Sequence, residues 1–172
     1  MLALVMTRLL GGLRWVLSAP RIYWVHALYV LNLIVLTSLV WWGLWYQRDA
    51  DWNYLTFAYN LFIGPGVLYY IGVVLVPEVP RRVRNWRDYF ENVRRLFYSA
   101  LLGLVIATFI GGLLITGTPL LHPSQALILL AAILAITGLL SSRHAIHGTL
   151  AVAMTIVVGC SVVLAALAPY SE

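Results

Sequence analysis

Residues 22–46 read IYWVHALYVLNLIVLTSLVWWGLWY, a run of 25 residues that contains no charged side chain. A helix needs about 20 mainly apolar residues to cross the hydrocarbon core of a bilayer, which is roughly 30 Å thick. The run is long enough for that crossing, and it lacks the short alternating pattern of a barrel strand. We therefore predict that it forms a transmembrane helix.

Four further stretches have the same character, namely residues 55–76, 96–116, 124–140 and 146–168. The composition agrees with them, because 62% of the 172 residues are hydrophobic, 10% are charged and the mean hydropathy is +0.91. Soluble domains are about one-quarter charged. The sequence thus predicts a single all-α domain over residues 1–172, an integral membrane helical bundle of about five spans.

The basic residues indicate how this bundle is oriented. All 11 are arginines, and ten of them precede the first span or lie between spans two and three or between spans four and five; only Arg48 falls on the other side. Because cytoplasmic loops carry an excess of positive charge, the N-terminus is predicted in the cytoplasm and the C-terminus outside. Arginines placed between spans, rather than along one soluble face, argue against binding to nucleic acid.

Residues 1–17 carry apolar side chains at helical spacing before the first span begins. This periodicity predicts an amphipathic helix at the membrane interface, or the truncated end of a further leading span. A cleaved signal peptide is disfavoured, because Arg8 and Arg14 would interrupt its apolar centre.

Residues 80–95 are predicted to form a second amphipathic helix, which lies along the cytoplasmic surface. Its polar face places opposite charges four residues apart, as in Arg84 with Asp88 and Arg87 with Glu91. The arginines of this region are expected to contact anionic lipid head groups or an acidic patch of a partner. They are Arg81, Arg82, Arg84, Arg87, Arg94 and Arg95.

Histidines inside a membrane span are candidate functional residues, because ionisable groups are costly in lipid. His26 and His147 are predicted at similar depth near the cytoplasmic face, with His144 one turn from His147. Two neutral imidazoles on facing helices could ligate the iron of haem b or hold a quinone head group. The alternative is that these histidines only pack between helices.

The second predicted span contains Asn60 followed by Gly64, Pro65 and Gly66. Proline in mid-helix removes a hydrogen bond and crowds the preceding turn, so a kink or break is expected. Broken helices line substrate and ion paths in transporters, and Asn60 could complete such a path together with Tyr59, Tyr69 and Tyr70. The alternative is a purely structural kink.

Small residues recur at fourfold spacing in the third and fifth predicted spans. One stripe consists of Gly103, Ala107 and Gly111, and the other of Ala151, Thr155 and Gly159. Small side chains let helix backbones approach closely, either within this chain or against another subunit. The single cysteine, Cys160, lies in an apolar run and is predicted to be buried.

Several phrases of the sequence resemble those of a family of small bacterial multi-pass membrane proteins for which no activity is established. They are TRLLGGL at 7–13, YWVH at 23–26, WWGLW at 41–45, DYF at 88–90 and RRLF at 94–97, with Arg143 and His147. The resemblance covers nearly the whole chain and implies a location in the bacterial inner membrane. It also implies an additional leading span, which family members close with the TRLLG phrase.

The functional prediction from these observations is a non-enzymatic accessory or scaffold subunit that packs against a larger membrane complex. The chain has large apolar faces and two small-residue stripes, but it lacks the glycine-rich, zinc-binding and nucleophile motifs of enzymes. No catalytic residue and no metal site is predicted, and the expected partners are the bilayer and another membrane chain or a second copy. Two alternatives stay open: a small transporter or channel, and a redox protein that binds haem or quinone.

Overall fold

A computed structural model describes residues 1–19, 22–49 and 51–167. These residues form six helices and no strand. The helices are α1 (Leu2–Leu17), α2 (Trp24–Tyr46), α3 (Tyr54–Ala58, the π-helical turn Tyr59–Ile63 and Gly64–Leu75), α4 (Trp86–Leu114), α5 (Pro123–Leu140) and α6 (His144–Leu167). Helices α2 to α6 are each long and apolar enough to cross a membrane. The predicted fold class is confirmed, and the chain is a multi-pass membrane protein. Arg21 and the predicted end of the last span at residue 168 lie outside the described residues.

Polar side chains mark where three of the helices begin. The side-chain oxygen of Asn53 accepts a hydrogen bond from the backbone N–H of Thr56 at the start of α3. The side chain of Asn85 does the same for the N–H of Arg87 in the first turn of α4. His122 accepts from the N–H of Ser124 and precedes a proline in the first turn of α5. Such caps satisfy N–H groups that have no partner within the helix.

The five long helices form a closed ring in the order α2, α3, α4, α5 and α6, with α6 packed back on α2. Large aromatic side chains of α2 and α4 fill the interior of the ring where the arginine-rich loops converge. The fully buried ones include Tyr29, Phe90, Phe97 and Tyr98. We call this side of the bundle the Arg-rich end, and the side that carries Arg48 the Arg-poor end.

Helix α1 lies beside the ring, in contact with α2 and α3. Its buried face packs closely on the end of α3, where a Cβ atom on Gly12 would come within 2.3 Å of a Val76 methyl group. The guanidinium of Arg8 donates two hydrogen bonds, of 3.0 and 2.8 Å, to the Val76 carbonyl oxygen. Four apolar residues of α1 are therefore buried against protein, namely Leu2, Val5, Leu9 and Val16, whereas Leu10 and Leu17 of the same segment are exposed.

The separate surface helix predicted for residues 80–95 is not found. A short 3-10 turn, Pro80–Arg82, is followed by α4, which runs without interruption through the predicted start of the third span at residue 96. The 29 residues of α4 extend about 43 Å at 1.5 Å per residue, so its first turns reach beyond a core of roughly 30 Å. The apolar residues Trp86 and Phe90 turn into the bundle, which keeps this extension in line with the span.

Candidate functional site

His26 lies on α2 inside an aromatic shell at the Arg-rich end. Its ring is fully buried, with ring centroids 5.0 Å from Trp86, 6.0 Å from Tyr89 and 6.0 Å from Phe90. Neither of its ring nitrogens has a hydrogen-bond partner among the described residues, although the carbonyl of Leu75 lies near the ring. The ring therefore packs against three aromatic side chains of α4.

His147 on α6 is also fully buried, and it belongs to a short chain of hydrogen bonds. Its Nδ1 atom lies 3.1 Å from the hydroxyl oxygen of Tyr98 on α4, and that oxygen lies 2.9 Å from the hydroxyl oxygen of Tyr29 on α2. The chain therefore joins three helices through polar atoms in the bundle interior. Such bonds stabilise helix association in lipid by roughly 0.6 kcal/mol each.

Phe90 stands between the two buried histidines. Its ring centroid is 6.0 Å from that of His26 and 6.0 Å from that of His147, with nearly perpendicular rings in both pairs. The structure thus brings the two histidines to the same end of the bundle, with the ring of Phe90 packed against both. A bulky phenyl ring in contact with both imidazoles does not fit the predicted pair of haem ligands.

His144, the third candidate, lies apart from this aromatic core. It is exposed and contacts the carboxylate of Glu91, which also pairs with Arg94 at 3.5 Å. Arg94 in turn donates to the carbonyl oxygen of Ser141, just before α6. These contacts tie the start of α6 to α4, and they replace the charge pairs that the sequence predicts along residues 80–95.

The same cluster reaches the start of α2. Burial raises the pKa of Tyr23, and the negative charge of Glu91 raises it further, whereas the guanidinium of Arg87 acts in the opposite direction. Tyr23 therefore carries a neutral hydroxyl at physiological pH, and the charge of Glu91 acts on it.

Most of the predicted lipid-contacting arginines are exposed and make no ion pair with any described residue. They are Arg81, Arg82, Arg84, Arg87 and Arg95. Arg81 also covers the ring of Trp15 on α1, with its guanidinium carbon 4.9 Å from the ring centroid. The surface of the Arg-rich end thus carries positive charge that is not paired within the described residues, as contact with anionic groups requires.

The expected break in the second span takes the form of a π-helical turn at Tyr59–Ile63, directly before Gly64 and Pro65. A wider turn accommodates a proline, because the ring of Pro65 would otherwise clash with the carbonyl four residues earlier. Gly66 faces Met1 on the opposite side of α3, and Tyr69 and Tyr70 are partly exposed. Only part of the predicted path therefore surrounds a common space.

That space is a cavity of about 260 Å³ at the Arg-poor end, between α2, α3, α4 and α5. Three amide side chains line it, those of Gln47, Asn60 and Gln125, and we call it the amide cavity. Hydroxyl groups add to its polar lining, including those of Thr108 and Ser124. Tyr59, Asn60, Gly64 and Pro65 were predicted from the sequence, whereas the two glutamines, which stand near the ends of other helices, were not.

The polar groups of the amide cavity are held in place by specific contacts. The amide nitrogen of Asn60 donates to Oε1 of Gln47 at 3.0 Å, and the hydroxyl of Tyr59 donates to the carbonyl of Ala107 at 3.2 Å. Gln125 is 1% exposed, and its Oε1 atom has no hydrogen-bond partner among the described residues. Among the described lining residues, this oxygen is the one buried side-chain polar atom that lacks a hydrogen-bond partner.

The two small-residue stripes are divided between the interior and the surface. Gly111 lies beneath Tyr59, Ala151 is fully buried, and the Thr155 hydroxyl accepts a hydrogen bond from the Asn32 amide at 3.1 Å. Gly103 and Gly159 are exposed instead, and a Cβ atom on either would meet no other atom within 4 Å. Cys160 is exposed beside Gly159, contrary to its predicted burial.

Comparison of the chain with protein-family models, curated proteins and solved structures finds no match. Among the described residues, no three His, Cys, Asp or Glu side chains converge as a metal site would require.

Proposed function

We propose that this chain is a non-enzymatic subunit that packs against a partner chain, or a second copy of itself, within the bacterial inner membrane. The N-terminus lies in the cytoplasm and the C-terminus outside in this proposal. The distribution of the arginines supports that orientation, because the exposed ones of the α3–α4 connection all lie at one end of the bundle.

The observation that carries the proposal is the exposure of Gly103 and Gly159 in the middle of membrane-spanning helices. Glycine inside a helix costs about 1 kcal/mol relative to alanine. No contact within the chain offsets this cost at either glycine, since no atom lies within 4 Å of the position that a Cβ atom would take. Close approach of a further helix would supply that compensation, because association in lipid depends on tight packing.

The interior of the bundle supports a structural role as well. Its described polar side chains serve mainly to join helices, as in the Tyr29–Tyr98–His147 chain and the Asn32–Thr155 pair. The described acidic residues lie in loops or in the first two turns of α4. A cation-coupled carrier would be expected to place a carboxylate deeper in its spans.

The arginines at the Arg-rich end are the second contact surface in this proposal. Their exposed guanidiniums would attract anionic lipid head groups of the cytoplasmic leaflet, each contributing about 1 kcal/mol near the surface. This attraction would fix the depth of the subunit while α4 and α6 contact the partner.

The test is extraction from native membranes in a mild detergent, followed by native mass spectrometry. We expect a complex of fixed stoichiometry, which Gly103→Leu or Gly159→Leu disrupts because a leucine side chain holds the partner helix away. Ala126→Leu on the exposed face of α5 is the control, since it adds similar volume at another lipid-facing position. The proposal fails if the wild-type chain is monomeric under conditions that preserve other membrane complexes, or if both glycine variants keep the complex.

A further inference from the structure

We infer that the amide cavity binds a small uncharged molecule through hydroxyl groups that donate hydrogen bonds to Gln125. This site is separate from the exposed glycine faces, and the inference does not depend on the proposed partner. Its basis is the combination of a partly open cavity, an uncharged lining in which amides and hydroxyls stand among apolar side chains, and a buried acceptor that the described residues leave without a donor.

The first observation is a buried hydrogen-bond acceptor that has no partner. Oε1 of Gln125 is buried and lacks a hydrogen-bond partner among the described residues, while the side chain lines the cavity. A buried carbonyl oxygen without a donor is unfavourable, and native structures satisfy nearly all such groups. A hydroxyl donor that enters the cavity would satisfy it once the amide group turns its oxygen toward the open space.

The chain also keeps space open around this amide. A Cβ atom on Gly112 would come within 2.6 Å of Nε2 of Gln125, and one on Gly111 would come within 2.4 Å of the ring of Tyr59. Two successive glycines in α4 thus allow two polar side chains to lie against the helix backbone. Any larger residue at these positions would push the amide or the phenol into the cavity.

The charge of the lining restricts the class of ligand. Among the described residues that line the cavity there is no Asp, Glu, Arg or His, whereas amides and hydroxyls come from the end of α2 and from α3, α4 and α5. A charged ligand would lose its hydration without gaining a counter-charge, which is strongly unfavourable. Neutral molecules that carry several hydroxyl groups match both the amide acceptors and the absence of charge.

The volume of the cavity restricts the size of the ligand. About 260 Å³ is available, which exceeds the cavity of about 150 Å³ that accommodates benzene in an engineered core. A polyol between erythritol and a monosaccharide is of suitable size. The π-helical turn at Tyr59–Ile63 contributes by placing Asn60 on the cavity wall, where it bonds to Gln47.

The hydroxyl groups could come from a free polyol or from the sugar head group of a neutral glycolipid, because the cavity lies where the lipid head groups of the Arg-poor side would be. The experiment therefore has two arms. In the first, purified protein in phosphatidylcholine nanodiscs is titrated with erythritol, myo-inositol and glucose, and binding is followed by saturation-transfer difference NMR. In the second, nanodiscs that contain monoglucosyl diacylglycerol are examined by native mass spectrometry for retained lipid.

We expect binding in at least one arm, and the arm that responds identifies the source of the hydroxyl groups. Gln125→Leu should weaken this binding at least tenfold, because the side chain keeps its bulk but loses the acceptor. Gly112→Ala should weaken it by displacing the same amide, and it provides a second variant if Gln125→Leu does not fold. Thr149→Val, which removes an exposed hydroxyl on α6, should leave binding unchanged. Absence of binding to the wild-type protein in both arms, or equal binding to wild type and the Gln125 variant, would overturn the inference.

Discussion

The hydroxyl oxygen of Tyr98 lies 3.1 Å from Nδ1 of His147 and occupies the middle of a buried chain that ends at Tyr29. Because it touches both neighbours, its removal leaves two polar groups without a partner. We expect Tyr98→Phe to lower the free energy of unfolding by about 1–2 kcal/mol, since each orphaned group is costly. Tyr29→Phe removes the end of the chain and should lower it by less than about 1 kcal/mol. Reversible unfolding in mixed micelles measures both changes. Equal losses of unfolding free energy in the two variants would contradict the central position of Tyr98 in the hydrogen-bond chain.

The two buried histidines should respond differently to the same substitution. His147→Leu removes one end of the hydrogen-bond chain and leaves the Tyr98 hydroxyl with Tyr29 as its partner, so, as for Tyr29→Phe, we expect a loss of up to about 1 kcal/mol in the free energy of unfolding. His26→Leu removes two buried ring nitrogens that have no partner among the described residues, so it should leave the free energy of unfolding unchanged or raise it. Thermal unfolding of the two variants beside wild type checks this contrast. A large loss for His26→Leu alone would indicate a polar role that the packing does not show.

Adjacent glycines in α1 provide a matched pair. Gly12→Ala places a Cβ atom within 2.3 Å of Val76, so α1 must move away from the end of α3. At Gly11 the new methyl group meets no atom within 4 Å, and alanine should stabilise the helix by up to about 1 kcal/mol. We expect faster proteolysis within residues 1–19 for the Gly12 variant and unchanged or slower proteolysis for the Gly11 variant. The same rate for both variants would show that α1 does not depend on this close contact.

Membrane orientation can be tested in a background that carries Cys160→Ser, because the sequence contains one cysteine. A membrane-impermeant maleimide added to intact spheroplasts should leave Arg84→Cys and Ser18→Cys unlabelled and should label Asp51→Cys. All three positions are exposed in the folded chain, so access depends on the side of the membrane rather than on burial. Labelling of Arg84→Cys but not of Ser18→Cys would overturn the five-span orientation.

The spans were predictable because each apolar run is bounded by charge or proline, and four of the five agree with the helices to within about two residues at the ends that the structure describes. The helix that contains the third span begins at Trp86, ten residues before the predicted start of that span at 96. No helix-breaking residue separates the charged segment from the apolar one, and the amphipathic pattern of the first turns does not reveal whether they continue the span. These turns continue the span because Trp86 is buried against His26. That contact joins two separate helices, so the local sequence pattern does not reveal it.

The candidate sites were harder to predict for a related reason. Asn60 and Pro65 attracted attention because polar residues and prolines are unusual within spans, whereas Gln47 and Gln125 stand near helix ends, where polar side chains are ordinary. The sequence placed His26 and His147 near the same face but could not show that Phe90 separates them. Such relationships depend on how distant helices rotate about their axes, and a hydropathy pattern does not fix that rotation.

The π-helical turn at Tyr59–Ile63 has a consequence for the register of α3. It holds one residue more than a regular turn, so the part of the helix before it is rotated by about 100° relative to an unbroken α-helix. Deletion of a single residue there would leave a continuous helix in which the residues after the turn keep their contacts with the bundle. The residues before the turn would rotate by that angle, and this rotation would carry Tyr59 away from Gly111. One peptide unit therefore sets the direction in which the first part of α3 faces.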